Sequence, residues 1–470
     1  MNIEEADIVI IGAGMAGLAA AKWCVEQDKT VIVLEKAPKA HRGGHTRFTE
    51  SFRIPTAELE IDRNFSIKTY RATDFYRDIM AVTHYRADDE LAERVVHDAA
   101  SMFEWLEPLE VNWEYQAPHA GYTAGRVWLD GDELVEALIA DISAASGDVI
   151  YRAEARSITR DDTGDVTGVQ ARVDGALTEF HGSAVIIAAG DYGSSVEKRT
   201  RYYGPGYGNM KVRGSRYNTG EVLEAAFAIG AKSDGEWGDA HMAIIDADSP
   251  DVEGGITRID GYQYGVILNH DGERFVDEGE DSRAHTYAKF GRRIFEQPYH
   301  EAFIIVDSQT VDLVAHLGPS RPVTADSIED LAVRLGIESG DRALDTISAF
   351  NSACDPDEFD PDSLDGNKTT GIEPPKSNWA LPVSEPPFTG YPVTGGMTFG
   401  FGGLAISPDA EVLDTRDEPI PGLFAAGNAT GGLFYENYPG GTGLTNAAVY
   451  GRIAGKSAVS YIENTPNPPE

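Results

Sequence analysis

Two cysteines in 470 residues, Cys24 and Cys354, are too few and too far apart for a disulfide framework or a cysteine-rich cluster site. No CxxC or CxxCH spacing occurs, which excludes an iron–sulfur cluster and a c-type haem of the usual pattern. Basic residues are scarce: 39 Lys+Arg stand against 77 Asp+Glu, for a formal net charge of −38. Such a surface repels phosphate backbones and anionic lipid, which disfavours nucleic acid and membrane surfaces as partners. It also suits a medium whose salt screens self-repulsion. Long hydrophobic runs are absent too. The longest, from Ile8 to Ala21, is glycine-punctuated and falls short of the ~18–20 residues of a membrane-spanning helix. The chain opens on Glu4, Glu5 and Asp7 where a signal peptide would be basic, so the expectation is a cytoplasmic protein. A metal site has no supporting ligand cluster.

What is present is enough chain for two or three domains and a large core. Residues 7–11 (DIVII) form a short β-branched run of buried-strand type. A glycine turn, an Ala-rich helix to about Gln27 and a second strand ending at Glu35 complete a βαβ unit. DVIYRAEARSITRD, VTGVQARV and LTEFHGSA are predicted as an antiparallel excursion returning to the buried strand AVIIAAG. Asn218-Thr-Gly-Glu221 has the form of a capping box opening the helix EVLEAAFAIGA. From Trp237 to Ser377 the texture changes to short strands, aromatics and acidic loops, and glycine-dense motifs then return. The predicted fold is α/β: a Rossmann-type domain from residues 1–236 and 378–470, with an inserted α+β capping domain at 237–377.

Gly12-Ala-Gly14-Met15-Ala16-Gly17 is a GxGxxG turn between strand and helix. Its first glycine permits the tight turn, the second lets a pyrophosphate approach the backbone, and the third lets helix and strand pack closely. The helix N-terminus faces the phosphate charge. Glu35, followed by Lys36, is placed to accept from an adenosine ribose and disfavours a 2′-phosphate. Two further segments favour FAD over NAD: Ala184–Gly190, with Ala189 and Gly190 at the turn, and Pro421–Asn428, with Gly427 and Asn428 near a ribityl chain. Asn428 stands where such flavoproteins commonly carry an acid; its amide still bonds a hydroxyl. Gly440-Gly441-Thr-Gly443 then opens an amphipathic helix through Leu444 and Thr445, whose N-terminus suits an anionic reduced flavin. Ala155 is assigned to the cofactor site. No second GxGxxG follows a strand, so no NAD(P)H domain is read. Electrons must come or go through substrate, oxygen, a quinone or an external carrier protein.

Arg42-Gly43-Gly44-His45-Thr46-Arg47, Gly272–Glu278 (GERFVDE), Arg283–Arg292, Pro374–Trp379, Tyr391–Thr394 and Tyr435–Gly441 (YENYPGG) resemble the flavoprotein superfamily of fumarate reductases, succinate dehydrogenases and 3-ketosteroid dehydrogenases. Within it they are most similar to FAD-dependent tricarballylate dehydrogenases. The resemblance implies a GR2-like FAD domain, with Arg42 to Thr46 at the cofactor, and hydride transfer between a substrate carbon and flavin N5. A proton moves at the adjacent carbon. His45 falls where succinate dehydrogenases attach FAD covalently; the tricarballylate-type pattern implies noncovalent FAD.

A hydride leaves a saturated carbon only if the neighbouring proton is acidified and taken by a base. By the same resemblance Arg283 handles that proton, one residue out of register with the family pattern, and Tyr287 and His285 are alternatives. Fumarate reductases carry a histidine before a Gly-Gly pair; here Thr398-Phe399-Gly-Phe401 stands there. They also place an arginine in the Asn-x-x-Gly-Gly turn, where this chain has Tyr438, followed by Gly441. Both departures argue against a fumarate-type cradle, and Tyr438 resembles the ketone-polarising tyrosine of the ketosteroid enzymes. Arg47, Arg53, Arg283, Arg292 and Arg293 gather in these motifs while the rest of the chain avoids positive charge, and guanidinium forks suit carboxylates. The reading is an FAD-dependent CH–CH oxidoreductase acting on a small tricarballylate-type polycarboxylate. The alternatives are a cyclic-ketone or 3-ketosteroid desaturase, and an electron-transfer flavoprotein without its own substrate.

Overall fold

The computed structural model describes residues 2–118, 122–145 and 147–465. Its first sheet has six strands in the order Glu411–Leu413, Pro419–Ala425, Ala184–Ile187, Ile8–Ile11, Val31–Glu35 and Gly147–Tyr151. All neighbours are parallel except the Glu411–Leu413 pair. Strands Ile8–Ile11 and Ala184–Ile187 are buried along their whole length, as continuous β-branched runs covered on both faces must be: helices Met15–Glu26 and Thr442–Asn464 contact the sheet, and so do strands Ala153–Arg160 and Val166–Val173. Helix Met15–Glu26 packs against the final helix, Thr442–Asn464. The approach depends on glycine: a Cβ at Gly451 would stand 2.3 Å from Ala16 O, and one at Gly455 2.8 Å from Ala20 O. The two chain ends thereby close one Rossmann-type domain.

The antiparallel excursion differs from expectation at its start. DVIYRAEARSITRD is not one strand: Gly147–Tyr151 joins the parallel sheet and Ala153–Arg160 the antiparallel one. Arg152, at φ +54°, turns the chain between them. The second sheet runs Asn2–Glu5, Ala176–His181, Val166–Val173, Ala153–Arg160. The capping box at Asn218 does not form either. Gly220, left-handed at φ +79°, starts helix Glu221–Ala228 with no side-chain cap, and the Asn218 amide lies 3.5 Å from Asp191 instead.

The third sheet is ordered Lys211–Val212, Phe388–Leu404, Glu301–Val306, Val266–Leu268. Ser233–Asp246 pairs antiparallel along most of Phe388–Leu404, with bulges between Glu236 and Ala240 and between His241 and Met242. This ribbon crosses residue 236 and places 388–404 in the same sheet as the inserted segment. Helix Arg283–Phe295 lies directly on it: a Cβ at Gly291 would fall 2.3 Å from Ala243 O, and one at Gly395 2.2 Å from Gly291 O. A separate small core beneath helices Ile328–Leu335 and Gly340–Ala353 gathers Val266, Leu268, Phe303, Leu331 and Phe350.

Candidate active site

One elongated cavity runs from the GxGxxG turn, past Thr46, Gly190 and Asn218, to the ribbon and the Tyr438 turn. At the first end the glycines act as predicted. Gly12 has φ +107°, and a Cβ there would lie 2.4 Å from Ala188 O; one at Gly17 would lie 1.9 Å from Gly12 O. Gly14 is different: a Cβ would meet no heavy atom nearer than 3.5 Å, so its face is open to the cavity. The helix it precedes has no side-chain cap. Buried Glu35 accepts from Ala13 N at 3.1 Å and Ala37 N at 2.7 Å. Burial drives its carboxyl pKa up, and the backbone N–H groups pull the other way. Open glycine, uncapped helix end and buried acid together fit the adenosine pyrophosphate of FAD. Lys36, which bonds Thr219 and Glu221, also lines the cavity, as do Met15, Ala16, Gly44, His45, Thr46, Ala155, Ala189, Gly190, Gly427, Asn428, Gly443 and Leu444.

Other predicted cofactor residues stand outside the lining. Gly17 serves helix packing. Gly43, at φ +95°, abuts Val135. Arg42 pairs with Glu136 at 2.5 Å. Thr445 bonds the Arg53 backbone at 2.8 and 3.0 Å. His45 accepts from Ser215 N–H on Nδ1 at 2.9 Å, and its Nε2 lies 3.5 Å from buried Asp191.

At the far end, Arg126, Arg213, Arg258 and Arg283 line a chamber with His241, Tyr122, Tyr287, Thr398, Phe399, Tyr438 and Gly441. All four arginines are at most 8% exposed. Arg283 Nε donates to Asp260 at 2.6 Å; Arg258 reaches the other Asp260 oxygen at 3.4 Å and Glu50 at 2.7 Å. Charge thus alternates from Arg283 to the partly exposed Glu50. Burial opposes charge on Arg283 and Arg258, but the carboxylates outweigh it and hold both pKa values above the usual guanidinium range.

Arg126 and Arg213 have no carboxylate partner among the described residues. Arg126 donates to Ser51 Oγ at 2.9 Å, and its guanidinium abuts Gly440 and Gly441 beside Tyr438. Arg213 donates to Gly255 O at 3.2 Å and Thr398 Oγ1 at 2.9 Å. Burial lowers both pKa values, that of Arg213 to about 10 with Arg258 adding to the effect. His241 lies opposite Phe399 in the ribbon, stacked on it at 5.6 Å, and shares Thr398 Oγ1 at 2.6 Å through Nδ1. Its Nε2 is buried without a partner. Burial, then Arg213 and Arg258, keep this imidazole well below its ordinary pKa and therefore neutral. Gly441 N–H donates to the Tyr438 hydroxyl at 2.6 Å. Tyr287 sits under Arg283, 4.6 Å from guanidinium carbon to ring centre, and burial followed by Tyr438 keeps its phenol protonated.

Of the predicted catalytic and substrate residues, Arg283, Tyr287, Tyr438, Thr398, Phe399 and Gly441 therefore converge. His285 turns away to Asp281 at 3.2 Å. Arg53, fully buried, is spent on Asp78, Tyr70 and Gly440 O, each within 2.8 Å. Arg47 bonds Ala40 O at 3.1 Å. Arg292 pairs with Asp239 and Arg293 with Glu296. Phe401 packs behind Phe399. The motif reading missed Arg126, Arg213, Arg258 and His241. The available signal was weak: each lies in or next to a strand segment that carries none of the motif patterns.

A family model described as an FAD binding domain matches residues 7–444, and the chain belongs to that family. It is an FAD-dependent oxidoreductase. It is 27% identical over 507 residues to a vinyl phenol reductase of Lactiplantibacillus plantarum, covering 97% of each chain. It is 27% identical over 484 residues to a probable fumarate reductase of Shewanella frigidimarina, covering 97% of this chain and 75% of that one. Among solved structures it is similar to the open conformation of a flavocytochrome c3 fumarate reductase, with TM-score 0.75 and 24% identity over 98% of this chain and 79% of that chain. It is also similar to a 3-ketosteroid-Δ4-(5α)-dehydrogenase of Rhodococcus jostii, with TM-score 0.74 and 22% identity over 97% of each chain.

Proposed function

We propose that the protein transfers a hydride across a CH–CH bond flanked by carboxylate, with a small tricarballylate-type polycarboxylate as substrate and an external carrier as electron partner. The single observation that carries this reading is the charge of the chamber: among the described residues its four buried arginines face the carboxylates of Glu50 and Asp260 alone, which leaves two guanidinium groups for a guest anion. FAD, when bound, supplies the hydride acceptor or donor at N5. The chain's own groups hold the acid, exclude water beneath the inserted segment 237–377, and move a proton at the neighbouring carbon. Arg283 and Tyr287 are assigned that proton. His45, engaged at Nδ1 by Ser215 N–H, supports noncovalent FAD.

A second reading, desaturation of a cyclic ketone, is favoured by the Tyr438 hydroxyl and Gly441 N–H standing together at one turn. Four inward arginines weigh against it, since a ketone leaves two of them unmatched in a buried site. Anaerobic bleaching of the visible flavin band separates the two. Reduction by tricarboxylates or dicarboxylates supports the first reading; reduction by cyclic ketones or 3-ketosteroids alone sinks it.

A further inference from the structure

We infer that Arg213, aligned through Thr398, is the specificity-determining residue that holds a second, remote carboxylate of the substrate, while Arg126 holds the carboxylate every substrate shares. The inference rests on the proposed action on organic acids.

The two guanidinium groups enter from different walls. Arg126 rises from strand Arg126–Trp128 against the Gly440–Gly441 turn, where Tyr438 and the N-terminus of the last helix also lie. Arg213 follows strand Lys211–Val212 and is pinned on the ribbon side by Gly255 O and Thr398. Thr398 Oγ1 accepts from Arg213 and lies 2.6 Å from His241 Nδ1, so the one arrangement in which the hydroxyl also uses its own proton turns that proton to Nδ1. In that arrangement the His241 proton sits on Nε2, the buried ring atom with no partner among the described residues. One hydroxyl therefore aligns two donors, a charged fork and a neutral N–H. Two donors from one side match the two oxygens of a carboxylate, which a ketone oxygen or an aryl group does not offer. Asp260 and Glu50 are occupied by Arg258 and Arg283, so neither competes for Arg213.

The test compares succinate and butyrate, which share a four-carbon chain and differ by one carboxylate, with propane-1,2,3-tricarboxylate as a third probe. Dissociation constants are read from flavin difference spectra recorded before the visible band bleaches or, for an acid that reduces the flavin, from the concentration dependence of the bleaching rate. Arg213→Gln is expected to weaken succinate and the tricarboxylate by roughly 10- to 150-fold, the loss of a charged hydrogen-bond pair, and to leave butyrate nearly unchanged. Arg126→Gln is expected to weaken all three. Thr398→Val, which keeps the shape of the side chain, reproduces the Arg213→Gln pattern at smaller size and serves if the arginine variant loses its flavin. Equal effects of Arg213→Gln on succinate and butyrate overturn the assignment and leave the organic-acid reading in place. A wild-type protein that binds none of the three acids, yet shifts its spectrum with a cyclic ketone, overturns that reading itself.

Discussion

At the Gly12–Gly17 end of the cavity the chain presents mainly backbone and leaves one glycine face open, whereas at the Tyr438 end it presents side chains, four of them guanidinium. The first end recognises by letting a ligand come close; the second recognises by charge. The difference extends to how each is held. The turn is fixed by steric limits on backbone, Gly17 against Gly12 O within it and Gly12 against Ala188 O beside it, while the chamber draws on side chains from 122 to 441 and is kept in shape by hydrogen bonds between distant segments. Inside the chamber a second contrast appears. Arg258 and Arg283 are neutralised by Glu50 and Asp260, and Arg126 and Arg213 are not.

The contrast can be broken most forcefully at Arg283. Arg283→Gln is expected to lower turnover by about 10²- to 10⁴-fold, the scale of a lost proton-transfer group, with flavin content unchanged by visible absorbance. Equal loss of flavin and turnover would reassign Arg283 to the fold. At the opposite end, Gly14→Ala should leave the melting temperature of the apoprotein unaltered and weaken FAD by roughly 10- to 100-fold, about 1–3 kcal/mol of overpacking. Gly17→Ala, whose Cβ would strike Gly12 O, should instead lower the apoprotein melting temperature itself. If both variants behave alike, the open face of Gly14 has no bearing on the cofactor.

Acid binding should also depend on pH in one direction only. With its pKa near 10, Arg213 is a cation at pH 7 and loses its charge as pH rises. Affinity for succinate is then expected to be flat from about pH 7 to 9 and to fall about tenfold per unit above 10. Because His241 is already neutral, no inflection belongs near its ordinary pKa; a step there in the binding titration would show that the imidazole takes up a proton. The smallest effect is expected at His45: acid precipitation should release all the yellow colour, and His45→Asn should keep FAD.

How much of this was legible in the sequence follows from the same contrast. The strand–turn–helix unit around GxGxxG, with Glu35 ending the next strand, was legible because it is local and a φ of +107° at Gly12 favours glycine. Arg283, Tyr287 and Tyr438 were found through motif segments that keep their spacing. Arg126, Arg213 and His241 carry no motif. Their meaning arises only when Phe388–Leu404 pairs with Ser233–Asp246 and sets His241 opposite Phe399, 158 positions away. Arg53 misleads for the converse reason: a basic residue in a motif looks available until the fold delivers Asp78 and Tyr70 to it. The Asn218 box failed because Gly220 adopts the left-handed conformation and so starts the helix two residues later than a cap at Asn218 requires.

The sign of the chamber is opposite to that of the molecule around it, and this bears on timing more than on strength. An acid diffusing toward a chain of net charge −38 meets repulsion once it comes within a screening length of the surface, about 8 Å at physiological salt, and reaches the buried guanidinium groups only after crossing that layer. Added salt removes that outer barrier while reaching the enclosed arginines much less. Capture of a polyanion should therefore speed up as ionic strength rises, the reverse of ordinary electrostatic steering.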